Sequence, residues 1–194
     1  MKTYQKTITA PRLEIWYDND SENPRLGSLG WFITCDKRHS SPDNSEELKS
    51  LIQNAGEESA NQAEHIKNIE VEIEANGYGK VLAIYPIVKH DHGGVSYSRG
   101  TSHGFDDSNN GFYIITEKTL KISGVKKKLW TAVIDDELKI YNAWANGEIY
   151  GYTLYDENGE QAVSVGGFYD LESIQDELPA EWKDEKLTEY MTQS

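Results

Sequence analysis

The chain of 194 residues carries 33 acidic and 19 basic side chains, a net charge of −14, and 11% of its residues are aromatic. This aromatic content is too high for a disordered chain, and no segment approaches the roughly 20 consecutive apolar residues that span a bilayer. The single cysteine, Cys35, excludes an internal disulfide, and we expect it to be a buried apolar side chain. Since the N-terminal segment lacks the apolar run of a signal peptide, we expect an intracellular protein.

Two strands and a helix are predicted in the first quarter of the chain. Residues 13–17 alternate between apolar and polar side chains before a cluster of turn-forming residues, and residues 29–35 form a more apolar run. A helix is predicted after Ser45, whose side chain can cap it, because the apolar residues that follow are spaced for one helical face. Gly56 is predicted to interrupt this helix.

The middle of the chain predicts a surface helix, a core strand and a long loop. Residues 57–68 favour the helix, whereas residues 69–74 alternate isoleucine or valine with glutamate and fit either a strand or a helix end. Residues 81–88 are the most apolar run and predict a core strand in which Pro86 marks a bulge or an edge. Residues 89–111 are rich in glycine, histidine and serine and predict a loop of the length that is often functional.

The second half of the chain predicts a strand, two helices and a hairpin. Residues 111–115 are strand-like, and Thr116 can cap a short helix after them. Residues 129–144 show helical apolar spacing, and residues 148–165 form two strand-like runs around an Asn-Gly turn, which is typical of a hairpin. The chain closes with two short acidic helical stretches divided by Pro179.

These elements predict one α+β domain over residues 1–194, with a mostly antiparallel sheet, flanking helices and an acidic C-terminal helical segment. No internal repeat or low-complexity linker divides the chain. The residues predicted to form the core are Trp31, Ile33, Leu82, Ile84, Tyr150, Tyr152 and Phe168.

The negative charge is concentrated in the acidic C-terminal portion, residues 135–194. That portion holds 15 acidic and 3 basic side chains, whereas residues 1–134 hold 18 and 16. Such a surface can simply keep a protein in solution, or it can imitate nucleic acid in front of a basic partner. The predicted partner-binding carboxylates are Asp135, Asp136, Asp156, Glu157, Asp176, Glu177, Asp184 and Glu185.

The predicted loop at residues 89–111 carries the most distinctive local cluster. If the preceding strand continues through it, His90 and His92 share a face and could bind a metal together with His103, Asp106 or Asp107. No motif fixes a third ligand, so we expect neither a metal nor another cofactor. Arg99 and the glycines near it could instead hold an anion. The loop residues predicted as ligand-binding candidates are His90, Asp91, His92, Arg99 and His103.

Several segments resemble a family of uncharacterised proteins of tailed bacteriophages and prophages. The matching segments follow the order of that family and cover most of the chain: Pro24–Cys35, Ala83–Ser98, Gly111–Thr116 with the following Glu117 and Lys118, and Tyr141–Tyr169. The sequence departs from the family by an acidic insertion between residues 40 and 75. It also has residues 25–28 where the family has Trp-Asp.

Two patterns of that family have counterparts here. An apolar strand leads into an Asp-His-x-Gly turn, matched by Asp91, His92 and Gly94, and a C-terminal hairpin ends in Gly-Phe-Tyr, matched by residues 167–169. The resemblance implies a phage protein that acts in the cytoplasm of an infected bacterium. It assigns no catalytic residue.

Three functional hypotheses follow from these observations. The first is a non-enzymatic protein that inhibits a nucleic-acid-directed host defence, such as CRISPR-Cas or restriction, by binding the basic surface of a host protein. The second is a small-molecule-binding or metal-binding protein, or a hydrolase, that uses residues 89–111. The third is an interaction protein of phage assembly or regulation. We predict no direct binding to nucleic acid and no membrane association. Enzymatic activity is left open, with the non-enzymatic hypothesis preferred, and so is the oligomeric state.

Overall fold

A computed structural model describes residues 10–35, 40–101 and 107–192. Its strands are β1 Arg12–Tyr17, β2 Trp31–Thr34, β3 Val81–Asp91, β4 Val95–Arg99, β5 Asp107–Thr116, β6 Tyr150–Tyr155 and β7 Gln161–Phe168. Its α-helices are α1 Glu46–Glu57, α2 Gln62–Ala75, α3 Glu117–Ser123, α4 Trp130–Ala145 and α5 Leu171–Glu177. Short 3-10 helices lie at Lys127–Leu129, Ala180–Trp182 and Leu187–Tyr190.

The strands form two sheets in which all neighbouring strands are antiparallel, in the orders β1-β6-β7 and β2-β5-β3-β4. This confirms the predicted α+β class. The described chain forms two compact units, one built from residues 10–22 and 143–192 and the other from residues 23–142. The prediction of one domain stays a prediction.

The unit built from residues 10–22 and 143–192 contains the predicted hairpin, β6–β7, with β1 as the third strand. The turn is held by the Asp156 carboxylate, which accepts hydrogen bonds from the backbone N–H groups of Asn158 and Glu160, and Gly159 adopts a φ of +75°. Because glycine adopts such a φ without strain, Gly159 favours a turn at this position. The core of the unit comprises Leu13, Ile15, Tyr152, Leu154, Ile174, Leu178 and Leu187.

The unit of residues 23–142 packs α1 and α2 against its four-stranded sheet. The Ser45 side chain accepts a hydrogen bond from the backbone N–H of Leu48, which confirms the predicted cap of α1. Thr116 likewise caps α3 through the backbone N–H of Thr119, as predicted. The buried cluster between the helices and the sheet comprises Ile33, Leu48, Ile52, Ala55, Ile69, Ile73, Val81, Phe112 and Ile114.

The structure corrects the prediction at Gly56 and decides between the two alternatives for residues 69–74. Gly56 does not interrupt α1, which continues to Glu57. A Cβ at Gly56 would lie 2.9 Å from Cε1 of His65, so the glycine allows α2 to pack closely against α1. The alternating segment at residues 69–74 belongs to α2, because Ile69 and Ile73, four residues apart, both enter the core.

The prediction of a long loop over residues 89–111 was wrong. The strand β3 continues to Asp91. The chain then turns at Gly93, which has a φ of +72°, and continues as β4, which pairs with β3. In β4 the buried Tyr97 lies between the exposed Ser96 and Ser98, which is the alternation of a strand with one covered face. Glycines and serines on both sides hide this short alternation in the sequence. Pro86 lies in a central strand, and a register shift follows it between Ile87 and Lys89.

The predicted core residues divide into two groups. Ile33 and Tyr152 are buried as predicted, with exposed fractions of 0% and 5%. The other five are only partly buried, which corrects the prediction. Four of them pack at the margins of the two clusters. Partly buried are Trp31, Leu82, Ile84, Tyr150 and Phe168.

Candidate functional site

The predicted ligand-binding segment forms part of a sheet, and this places three polar residues of different strands together. His90 of β3 lies opposite Asp107 of β5 and opposite Ser96 of β4. Ser98 is two residues further along β4, so it faces the same side of the sheet as His90. The side chains at positions 90, 98 and 107 therefore converge on one face.

The imidazole of His90 connects the other two side chains. Its Nδ1 contacts the Oδ1 of Asp107, and its Nε2 lies 3.3 Å from the Oγ of Ser98. The His90 side chain is 44% exposed and that of Asp107 is 14% exposed. Since a carboxylate only accepts hydrogen bonds, the proton of the neutral ring lies on Nδ1 and Nε2 is the acceptor for the Ser98 hydroxyl.

Asp91 and His92 do not join His90 in a common ligand set. Asp91 contacts the Nζ of Lys89 at 3.1 Å, and the Lys89 side chain is only 2% exposed. His92 follows the end of β3 and is exposed. Among residues 10–35, 40–101 and 107–192, no group of three or more histidine, cysteine, aspartate or glutamate side chains could hold a metal ion. His103 and Asp106 lie outside the described residues.

Arg99 and Asp135, which the sequence assigned to two different sites, form one ion pair. The Arg99 guanidinium donates from Nε at 2.6 Å and from Nη2 at 2.7 Å to the two carboxylate oxygens. These hydrogen bonds lower the pKa of Asp135 below its ordinary value, although partial burial acts in the opposite direction. Asp135 therefore neutralises the cation that was predicted to hold an anion.

The remaining predicted carboxylates lie in three places. Asp136 is exposed on α4, and Asp156 is used in the β6–β7 turn beside the exposed Glu157. The other four lie on α5 or just after it and are exposed: Asp176, Glu177, Asp184 and Glu185. The carboxylate of Glu185 accepts a hydrogen bond from the Tyr190 hydroxyl at 2.7 Å.

A buried charged cluster around Arg25 escaped the sequence analysis. The Arg25 side chain is 5% exposed and forms ion pairs with Asp43 at 3.0 Å and with Glu137 at 2.7 Å. The Tyr113 hydroxyl donates to Glu137 and accepts a hydrogen bond from the backbone N–H of Gly30 at 2.9 Å. No spacing signal connects these positions, because they are distant in the chain and only the fold brings them together.

The charges of this cluster compensate one another. Burial alone lowers the pKa of Arg25, but Asp43 and Glu137 outweigh it and raise the pKa above its ordinary value. Burial also raises the pKa of Tyr113, so its hydroxyl stays protonated and can donate to Glu137. We conclude that the cluster fastens the segment before β2 to the sheet and to α4.

Comparisons of the chain with protein-family models, with curated proteins and with solved structures found no match. Within the part of the chain that the structure describes, none of the helices has the length and apolar character needed to cross a membrane. The function must therefore be inferred from the surfaces and side-chain clusters described above.

Proposed function

We propose that this chain is a phage-encoded binding protein that acts in the infected bacterium and inhibits a nucleic-acid-directed host defence by binding alone, without a catalytic step. Its partner would be a host protein with a basic nucleic-acid-binding surface, of the Cas or restriction type. The carboxylates on and after α5 would occupy that surface in place of phosphates. The proposed biological setting comes from the phage resemblance that the sequence motifs suggest.

The position of the acidic side chains on α5 carries this proposal. Asp176 and Glu177 lie in the last turn of α5, which contains no basic residue. The C-terminal end of a helix carries partial negative charge, so carboxylates at this end disfavour the helix rather than stabilise it. Helix stability thus gives no reason for these two charges, nor for Glu57 at the matching end of α1, and binding to a basic partner is the reason that we propose for the charges on α5.

The chain segment around α5 adds further negative charge. Residues 143–192 hold twelve acidic side chains and two basic ones, Lys183 and Lys186. Lys186 lies 3.3 Å from Glu189, and both side chains are mostly exposed. Exposed ion pairs of this kind are weak, so Lys186 does not commit Glu189 to a fixed contact. The carboxylates of the segment can therefore attract a basic partner.

The experiment uses two triple charge reversals of equal size. One carries Asp176→Lys, Glu177→Lys and Asp184→Lys. The matched control carries Glu57→Lys at the end of α1, Glu58→Lys directly after it and Glu70→Lys on α2. All six positions are exposed, so both variants should fold. Host proteins captured by tagged wild-type protein are identified by mass spectrometry, and the defence they belong to is assayed during phage infection.

The first variant should lose capture of a basic nucleic-acid-binding protein and lose protection of the phage, whereas the control should keep both. Capture by the wild-type protein should also weaken as salt rises toward physiological strength, because the screening length falls to about 8 Å. Equal capture and equal protection by the two folded variants would contradict the proposal.

A further inference from the structure

We propose that Ser98 is a nucleophile that His90 activates and Asp107 positions, and that it accepts acyl groups from small carboxylic esters. This activity would be separate from the carboxylates on and after α5. It needs no partner protein, so it can be tested on the isolated chain.

The arrangement of the three side chains supports this proposal. Asp107 contacts Nδ1 of His90, which leaves the lone pair of Nε2 to accept the proton of the Ser98 hydroxyl at 3.3 Å. A histidine in this position acts as a general base toward the hydroxyl, and the carboxylate stabilises the imidazolium that forms. The order serine, histidine, carboxylate is that of the catalytic triads in which histidine activates a serine.

The three side chains are held by regular structure rather than by a loop. They come from the adjacent strands β4, β3 and β5, and His90 is directly opposite Asp107. Strands hold side chains in place more accurately than loops do. At the next position along β4, the Arg99–Asp135 ion pair fastens the end of the strand.

The site is also accessible to a small substrate. Ser98 is exposed, and 44% of the His90 side chain is exposed, so an ester can approach the hydroxyl from solvent. Asp107 is much less exposed, at 14%, which limits competition by water for its contact with His90. The nucleophile is therefore open to solvent while its positioning residue is largely covered.

The acyl group is transferred twice, first from the ester to Ser98 and then from Ser98 to water. The Ser98 Oγ forms a bond to the ester carbonyl carbon as its proton passes to Nε2 of His90. The bond from that carbon to the leaving oxygen then breaks, and the leaving group takes the proton from Nε2. Water next attacks the acyl-serine and gives a proton to Nε2, which returns it to Ser98 as the carboxylic acid departs.

The alternative is that the three side chains only join neighbouring strands by hydrogen bonds. That role predicts no chemical reactivity of Ser98 beyond the reactivity of any exposed serine. Ser96 supplies the internal comparison, because it is also exposed, on the same strand and opposite His90, while His90 forms its hydrogen bond with Ser98.

The test measures covalent labelling by an alkyl fluorophosphonate and hydrolysis of p-nitrophenyl acetate. The wild-type protein should gain one adduct, located at Ser98 by peptide mass spectrometry. Ser96→Ala should be labelled at the wild-type rate and Ser98→Ala should not be labelled. His90→Gln should slow labelling by about 100-fold or more, the usual contribution of a general base.

Asp107→Asn tests the positioning role with a readout beyond rate. Nitrogen NMR of the His90 ring should show the proton on Nδ1 in the wild-type protein and a change of tautomer in the variant, together with slower labelling. Circular dichroism checks that each variant is folded, and the urea-unfolded chain gives the baseline reactivity. Labelling of the folded protein at this baseline rate, or equal labelling of Ser98→Ala, would overturn the proposal.

Discussion

The indole of Trp16 lies against Gly151, its direct partner across the β1–β6 pair, so closely that a methyl group on Gly151 would overlap the ring. The Trp16 Nε1 donates a hydrogen bond to the Thr153 hydroxyl at 3.0 Å, which holds the ring over this face of the sheet. The ring also reaches the position that a Cβ on Gly166 of β7 would occupy. One tryptophan thus covers glycines on two strands, an arrangement that stabilises sheets containing glycine.

Gly151→Ala should therefore destabilise the protein by about 1–3 kcal/mol, because the added methyl group displaces the ring of Trp16. Urea unfolding followed by circular dichroism measures this free energy. In a double-mutant cycle with Trp16→Ala, the cost of Gly151→Ala should fall, since the clash partner is absent. Additive effects of the two substitutions would show that the ring does not determine the cost.

The Arg25 cluster predicts a much larger effect than an exposed ion pair of the same composition. Arg25→Ala leaves Asp43 and Glu137 without their cation in a largely buried site and should cost roughly 3–5 kcal/mol. Arg99→Ala removes the pair with the half-exposed Asp135 and should cost about 0.2–1 kcal/mol. Urea unfolding compares the two variants, and equal costs would contradict the structural role of the Arg25 cluster.

The pH dependence of the Arg99–Asp135 pair follows from the lowered pKa of Asp135. Its stabilisation is complete above the unfolded-state pKa, near 3.8, and is lost as the pH falls through the lower pKa of the folded state. Carbon NMR should place the Asp135 pKa below 3.8 in the wild-type protein and higher in Arg99→Gln. The stability difference between the two proteins should shrink in acid, and a difference that grows there would contradict the assignment.

Cys35 should react slowly with alkylating agents. Burial raises the pKa of its thiol from 9.0 to about 11, although Lys49 acts in the opposite direction, so the thiolate fraction near neutral pH falls about 100-fold. Iodoacetamide labelling of the folded protein should be slower than that of the urea-unfolded chain by a comparable factor. Lys49→Met should slow it further, and equal rates in folded and unfolded protein would show that the thiol is not shielded.

Local signals in the sequence determined much of the secondary structure. Ser45 and Thr116 were recognised as helix caps, and the Asn-Gly turn was recognised as the centre of a hairpin. Each of these features depends on a few residues that are adjacent in the chain. The backbone conformation of a glycine, or the hydrogen bond of a capping hydroxyl, is largely independent of the rest of the fold.

The candidate sites were determined by the tertiary structure. The sequence grouped His90 with Asp91 and His92 and named Asp107 only as one of three possible further ligands. Strand pairing places His90 with Asp107 and with Ser98, which the sequence analysis did not select. The residues between β3 and β5 carry many glycines and serines. The short alternation of apolar and polar residues in β4 therefore could not be distinguished from the sequence pattern of a loop.

The pairing of charged residues also could not be predicted from the sequence. Composition located the excess of carboxylates correctly in residues 135–194, yet it could not show that Asp135 is neutralised by Arg99. Nor could it show that Arg25, Asp43 and Glu137 form one buried cluster. Contacts between residues far apart in sequence depend on strand order and helix packing, and these are fixed by burying apolar surface across the whole unit rather than by any local pattern.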